Sequence, residues 1–311
     1  MTAAAAGRTM GPGNPDITIL MSTYNGESYL EEQLASLFAQ TCWDRCRLVV
    51  RDDGSTDGTA AILRKYEARG MLSAGYGQNL GFTGSFFTLI REAPDGGLCF
   101  FCDQDDVWEP DKVERAARAM SGADPAVPTL YYSDRALIDA GGNVISAHDV
   151  VSKIPPTRFN SLTLACCFGH TLCANQAMLA CLRRLRPEDG EIHDWLAQLI
   201  AVYMGRLVYD PVPTVRYRVH GASATYMGPS RWRMAFSPKF LRFQRRIIGL
   251  SLSDIMATFG DELAEEDKKL VGLFLHKTPL GQLRKALYPE RYRKEFLNDL
   301  YYRVLALLWQ V

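Results

Sequence analysis

Three carboxylates crowd the stretch FFCDQDDVW (100–108): Asp103, Asp105 and Asp106 follow directly on the apolar run LCFFC. Carboxylates at the end of a core strand are costly unless something pairs with them. Asp103 and Asp105 stand two apart, so on an extended segment both point the same way. Hard oxygen ligands at that spacing suit Mg²⁺ or Mn²⁺. A cation there would bridge the phosphates of a nucleotide and neutralise a diphosphate leaving group, which offsets the cost of burial. D-x-D alone is also a common surface turn; its place after LCFF singles this one out. Two more polar clusters, STYNGE (22–27) and RDDGSTD (51–57), close apolar runs in the same way. Asn, Asp and Gly also make turns, but three such clusters at strand ends argue for a site. Asp194, in HDW (193–195), opens a helix, where an aspartate equally caps amides and complements the dipole. His193 and His220 are titratable as well, and a lone histidine is more often a hydrogen-bonder than a ligand.

These residues need elements to position them. ITILMSTY (17–24), CRLVVRDD (46–53) and LCFFCDQDD (98–106) read as strands, and SYLEEQLASLFAQ (28–40), TAAILRKYEARG (59–70) and DKVERAARAM (111–120) as helices between and after them. Leu30, Leu34, Leu37 and Phe38 fall at helical spacing, and Ser28 with Glu31 forms a capping-box pattern. The glycine-rich loop GQNLGFTGS (77–85) leads into a short helix. Strands alternating with helices argue for a parallel sheet, and continuously apolar strands for one covered on both faces. Ligands of such sheets bind at the carboxyl ends of the strands. Later, TLYYSDRALID (129–139) reads as a strand, AGGN (140–143) as a hairpin turn and EIHDWLAQLIAVYMG (191–205) as a helix. RLVYDPVPTVRYRVHGAS (206–223) reads as strand, turn and strand.

Composition bounds the rest. The 311 residues are 47% hydrophobic and 23% charged with a formal net charge of 0, which suits a large core and gives no support for a nucleic-acid partner. No apolar run reaches spanning length and the opening residues lack the apolar core of a secretory signal, so a cytoplasmic protein with reduced thiols is expected. Cys99 and Cys102 form C-x-x-C inside a strand, where they face opposite sides, against a zinc site. Residues 230–311 carry 15 Lys+Arg against 9 Asp+Glu.

ILMSTYNGESYLEEQLASLFAQT, RLVVRDDGSTDGT, NLGFTGSF and FFCDQDDVWEPDKVE together resemble family 2 glycosyltransferases of the GT-A fold, in particular the bacterial rhamnosyltransferase-like branch. SDRALIDAGGNVIS, HDW and YRVHGAS continue the resemblance in the expected order, over roughly residues 16–225. It implies an α/β, Rossmann-like GT-A fold with a mixed, mainly parallel sheet and helices on both faces. With the small, Gly- and Pro-rich residues 1–15 read as a flexible N-terminal arm and the basic, helical-patterned residues 229–311 as a separate C-terminal region, the catalytic domain is expected over 16–228. The resemblance also implies inverting transfer of a single sugar, L-rhamnose from dTDP-L-rhamnose, to a saccharide or lipid-linked saccharide of cell-surface polysaccharide synthesis. Carried over residue by residue, Thr23, Tyr24 and Glu27 would hold the nucleotide, Asp52 and Asp53 the base or ribose, and Asn79 and Gly81 the wall beside it. Asp103 would face the ribose or the metal, Gln104 would sit with the nucleotide sugar, and Asp105 and His220 would ligate Mn²⁺ or Mg²⁺. Asp194 stands where the family has its catalytic base.

The chain departs from the family's processive members, which carry Q-x-x-R-W: GPSRWRM (228–234) has Arg231 and Trp232 without the glutamine. The same chemistry on a UDP-hexose, and a catalytically silent nucleotide-sugar-binding module, remain the rival readings. A nucleotidyltransferase is disfavoured, because STYNGE holds no Lys or Arg. The tail places Phe296, Leu300, Val304 and Leu308 four apart, with Leu297, Tyr301, Leu305 and Trp309 beside them, as one apolar helical stripe after a basic segment (231–249). That pattern fits packing onto the catalytic domain, a homodimer contact or a peripheral membrane contact.

Overall fold

The computed structural model describes residues 16–188, 190–220, 238–276 and 278–308; the N-terminal arm, Arg231, Trp232 and Trp309 lie outside the described residues. The strands are β1 (Ile17–Thr23), β2 (Cys46–Asp52), β3 (Ser73–Tyr76), β4 (Leu98–Cys102), β5 (Val107–Trp108), β6 (Thr129–Ile138), β7 (Val144–Ser146), β8 (Leu172–Ala174) and β9 (Arg206–Arg218). They form one sheet in the order β3-β2-β1-β4-β8-β6-β9-β5, with β7 beside β6. β3, β2, β1 and β4 run parallel, β9 runs parallel to β6, and β8, β5 and β7 run against their neighbours. The sheet is mixed and mainly parallel, as the resemblance implies; the strand–helix alternation by itself argues only for its parallel part.

The central strands are apolar on both sides because both sides are covered. Ile17, Ile19 and Met21 of β1 join Leu48, Val50, Phe100 and Cys102 in one cluster with α1 (Leu30–Phe38), α2 (Thr59–Glu67) and α4 (Lys112–Met120). Leu20, Cys99 and Phe101 enter the other cluster with α3 (Gly81–Glu92), α5 (Gln176–Arg184) and α6 (His193–Met204). Cys99 and Cys102 thus face opposite sides, and all eight cysteines are free thiols.

Three local expectations are corrected. The helix after β1 is capped at Tyr29 with no side-chain cap bond, so Ser28 and Glu31 form no capping box; Glu31 instead pairs with Lys65 at 2.6 Å. Residues 206–218 are one strand, not two. β9 follows β6 from Thr129↔Arg206 to Ile138↔Arg218, and the DPVP segment is taken up as register shifts, Ser133↔Asp210 being followed by Asp134↔Pro213. Proline lacks the amide a regular ladder needs, and a bulge tolerates it. Finally, β4 stops at Cys102, so Asp103 and Asp105 lie on a bend rather than an extended segment.

The C-terminal region is helical, as expected: α7 (Pro238–Phe259), α8 (Glu265–Leu275), α9 (Pro279–Ala286) and α10 (Phe296–Leu307). Ile247, Ile248, Leu252, Ile255 and Phe259 of α7 share a core cluster with Leu196, Leu199 and Ile200 of α6. That apolar burial, not the exposed ion pairs such as Arg158–Glu266, fastens the region, since exposed pairs contribute about 0–1 kcal/mol each. The guanidinium of Arg293 adds a tie, donating to Thr163 Oγ1 (3.1 Å) and to its carbonyl (2.8 Å). In α10, Leu305 and Ala306 point inward, whereas Phe296 (66% exposed), Leu297 (71%), Leu300 and Val304 face outward. Among the described residues no helix is long and apolar enough to cross a membrane.

Candidate active site

The parallel strands β1, β2 and β4 end at one edge, which collects the three polar clusters. At the end of β1, buried Thr23 donates to Asp52 Oδ1 (3.3 Å), and Asp52 also accepts from Ser55. Gln104 straps the first loop to the β4 loop: its Oε1 accepts from Tyr24 N (2.7 Å) and its Nε2 donates to Tyr24 O (2.9 Å). A Cβ at Gly26 would meet the Gln104 amide, so any larger residue there would have to displace this strap. Tyr24 itself is 47% exposed. Glu27 accepts from Gly58 N (2.8 Å) at the start of α2. Buried Asp53 pairs with Arg51 and accepts from Leu80 N (2.8 Å), while Asn79 Oδ1 accepts from Gly81 N (3.0 Å), where φ is +71°. Thr23, Asp52, Asp53, Asn79 and Gly81 thus tie the loops at this edge together through bonds among themselves and their neighbours.

The aspartates at the end of β4 each meet a different partner. Asp105 Oδ2 lies 2.9 Å from His220 Nε2, and Asp103 Oδ2 lies 3.2 Å from His170 Nδ1. Asp106 is fully buried; its Oδ1 accepts from Arg218 N (3.0 Å), while Oδ2 has no hydrogen-bond partner among the described residues. Burial pushes the Asp103 carboxyl up to about 6. Burial, and then the neighbouring Asp103 charge, raises Asp105; burial and both neighbouring aspartates hold Asp106 well above the usual carboxylate range. Asp134 shows what full satisfaction does. It is as buried as Asp106, and burial alone would raise it, yet hydrogen bonds from Ser152, His148 and two backbone amides leave it below its ordinary value. The Asp103–Asp105–Asp106 group lacks that compensation.

Asp194 sits in the first turn of α6 but does not cap that helix through a distant amide of its own. Its Oδ2 reaches across to accept from Gly169 N (2.9 Å), and Oδ1 accepts from Trp195 N (2.6 Å). Burial raises its carboxyl to about 6 against the pull of those two amides, and the Asp103 charge adds to the rise. A carboxylate poised near neutrality in a cleft suits proton transfer. Next to it, His193 is buried, stacked on Phe86 at 4.2 Å, and held neutral down to about 3 by desolvation. Trp195 is core, with Nε1 donating to Ser161 O (2.7 Å), and Trp108 is buried against Phe100 and Lys112.

Several residues of this site carry no sequence signal. His170 joins Asp103 and Asp106 with one ligand atom each inside 4.8 Å of the others. Arg135 lies flat between Phe168 (3.5 Å) and Tyr217 (4.4 Å), with Asp149 accepting from Nε (2.8 Å) and NH2 (2.6 Å). Gln198 fixes the loop before Gly169: Oε1 accepts from Cys166 N (2.8 Å) and Cys167 N (3.1 Å), and Nε2 donates to Ser161 Oγ and Leu164 O. Only the SDR run on β6 offered a hint, as buried charge in a strand. The donor set at the strand end fits a hard divalent cation: three clustered carboxylates, one with an orphaned buried oxygen, beside the His220 imidazole.

A family model described as glycosyl transferase family 2 matches residues 18–152. An uncharacterized glycosyltransferase of Nostoc sp. is 26% identical over 220 residues, 67% of this chain and 66% of that protein. The dTDP-rhamnosyl transferase RfbG of Shigella flexneri is 33% identical over 108 residues, 31% of this chain and 35% of RfbG. An uncharacterized glycosyltransferase of Rickettsia typhi is 23% identical over 304 residues, 88% of this chain and 92% of that protein. The chain thus spans just under two thirds of the first relative and about a third of the second. Among solved structures, S. aureus TarS 1–349 in complex with UDP superposes with a TM-score of 0.58 at 17% identity, over 95% of this chain and 81% of that one. The mannosyltransferase PcManGT from Pyrobaculum calidifontis, in complex with GDP-Man and Mn²⁺, gives 0.54 at 19% identity, over 96% and 75%. At those identities the likeness is one of fold, the GT-A fold. The matched segment contains the strand-end aspartates and stops before Asp194 and His220, which the fold brings to the same edge; over residues 18–152 the chain is similar to glycosyl transferase family 2.

Proposed function

We propose that the protein transfers one sugar from a nucleoside-diphosphate sugar to an acceptor hydroxyl with inversion, with Asp194 as the base. The observation that carries this reading is Asp194 itself: a carboxyl raised to about 6, pinned to the loop whose next residue touches Asp103. In a single displacement the acceptor oxygen bonds to the anomeric carbon, the bond to the diphosphate breaks, and Asp194 takes the hydroxyl proton. One carboxylate suffices, because the leaving diphosphate needs no general acid, in contrast to the paired carboxylates of glycosidases. Asp105, Asp103 and His220 would hold Mn²⁺ or Mg²⁺. That cation supplies charge neutralisation for the diphosphate. Thr23, Tyr24, Glu27, Asp52, Asp53, Asn79, Gly81 and Gln104 form the nucleotide-sugar side. Their mutual hydrogen bonds keep the wall rigid before the donor arrives, which limits the ordering cost of binding.

The donor proposed is dTDP-L-rhamnose, supported by the match to RfbG, and the acceptor a saccharide or lipid-linked saccharide of the cell envelope, supported by the similarity of residues to a putative teichuronic acid biosynthesis glycosyltransferase of Bacillus subtilis (28% identical over 109 residues). The outward apolar face of α10, with exposed Lys294 before its start and a small cavity there lined by Lys153, Lys294 and Glu295, supports a peripheral membrane contact over a packed tail. A panel of nucleotide sugars with Mn²⁺ or Mg²⁺, read as release of nucleoside diphosphate, tests the activity. Release from dTDP-L-rhamnose supports the full reading, release from a UDP-hexose alone shifts the donor, and binding without release from any donor leaves a silent module. Flotation with anionic vesicles tests the tail: no association of the full chain removes the membrane contact.

A further inference from the structure

The ring of His170 touches two very different groups. Its Nε2 lies 3.1 Å from Arg135 NH1, and its Nδ1 lies 3.2 Å from Asp103 Oδ2 and 3.6 Å from Asp106 Oδ2. Little freedom remains between them. The imidazole is buried and stacks on Tyr217 at 4.9 Å and 10°, and Arg135 is clamped by Asp149 and by two aromatic faces.

A guanidinium only donates. The Nε2 that faces Arg135 must therefore offer its lone pair, and the ring's one proton must sit on Nδ1. From there it can be donated only toward the aspartates. We propose that His170 is a positioning residue, locked by Arg135 as the Nδ1–H tautomer, that donates to Asp103 and fixes the orientation of that carboxylate, and that it is not itself a metal ligand. The inference rests, for its consequence, on the reading that a divalent cation binds the strand-end aspartates. Although Asp103, Asp106 and His170 approach one another closely enough to look like a ligand set, a protonated Nδ1 has no lone pair for a cation. Asp105 and His220 would then be the residues that hold the cation, with Asp103 oriented beside them by His170. Partners that orient a ligand in this way typically change metal affinity about 10–100-fold when removed.

Two measurements on the full chain decide this. The first needs no metal. Long-range ¹H–¹⁵N correlation on histidine-labelled protein resolves five imidazoles, and the His170→Asn variant identifies which signal is lost. Protonation on Nδ1 is expected; a proton on Nε2 overturns the proposal. The second is Mn²⁺ affinity by electron paramagnetic resonance for wild type, His170→Ala and His170→Asn. An asparagine amide stands close to where Nδ1–H stood, so His170→Ala should bind about tenfold more weakly or worse while His170→Asn recovers most of the affinity. Equal loss in both variants means that His170 is a ligand, and no loss in either means that it does not position Asp103; both results overturn the proposal. If His170→Ala fails to fold, the tautomer and the affinity of His170→Asn still decide. If the wild type binds no Mn²⁺, the metal reading fails, and the tautomer alone judges the role assigned to Arg135 and His170.

Discussion

Asp103 and Asp194 are held by consecutive residues of one loop: His170 Nδ1 lies 3.2 Å from Asp103 Oδ2, and the Gly169 amide donates to Asp194 Oδ2 at 2.9 Å. A single turn thus fixes the spacing between the carboxylate assigned to the donor side and the one assigned to the acceptor. It also couples their chemistry, since each is raised to about 6 by burial and the Asp103 charge contributes to the rise at Asp194. Anything that moves this loop should move both.

The pH profile follows from Asp194. A base works deprotonated, so kcat/KM should fall tenfold per unit of pH below about 6 and level off above it. The sign for stability is the opposite. The native carboxyl keeps its proton where the unfolded one, near 3.9, has lost it, so between about 4 and 6 the native state binds more protons and Asp194 makes folding less favourable as pH rises. A rate profile that is flat down to pH 4.5 would remove Asp194 as the titrating base.

Removal of the cation should abolish transfer, and Mn²⁺ or Mg²⁺ should restore it. Asp105→Ala should lose both activity and Mn²⁺ binding and remain folded, because it deletes a charge that burial and Asp103 already disfavour. Full transfer in EDTA would end the metal assignment.

Gln198→Ala should destabilise the fold by ~3 kcal/mol or more, since it strands the buried amides of Cys166 and Cys167 and the carbonyl of Leu164. Urea unfolding measures it, with an unchanged m-value expected. A loss below about 0.5 kcal/mol would show that water replaces the side chain.

Gly169→Ala should slow transfer more than it destabilises. A Cβ there would lie 3.0 Å from His193 Nε2 and 3.7 Å from Asp194 Oδ2, and His193 is pinned on Phe86 and cannot retreat freely. Overpacking of this kind costs about 1–3 kcal/mol. Melting temperature and kcat measured together separate the two effects; unchanged kcat in a folded variant would show that the loop tolerates displacement.

Much of the scaffold was legible because its signals are local. The continuously apolar runs of β1, β2 and β4 require cover on both faces, and the clusters on either side of the sheet supply it. The three strand-end clusters do share one edge. What escaped depends on distant partners. His170 meets Asp103 across 67 positions of sequence and Arg135 across 35, and nothing in FGHT announces either contact. The DPVP segment reads locally as a turn, yet β6 holds it as an irregular strand over its whole length. Ser28 and Glu31 have the spacing of a capping box, but the chain turns through Gly26, whose carbonyl accepts from Tyr29 N and Leu30 N, and the helix begins one residue too late for that box.

The most direct test pairs donor binding with turnover in Asp194→Asn. Because both carboxylate oxygens accept from backbone amides, the asparagine NH2 must face a donor, and a loss of about 1–3 kcal/mol of stability is expected; the comparison belongs below the variant's melting range. Calorimetry should give a nucleotide-sugar affinity close to wild type, while sugar transfer to acceptor, read as release of nucleoside diphosphate, falls by roughly 10²–10⁴-fold. A folded variant that binds donor and transfers at near the wild-type rate would contradict the account, and Asp194 would then be only the residue that ties α6 to Gly169.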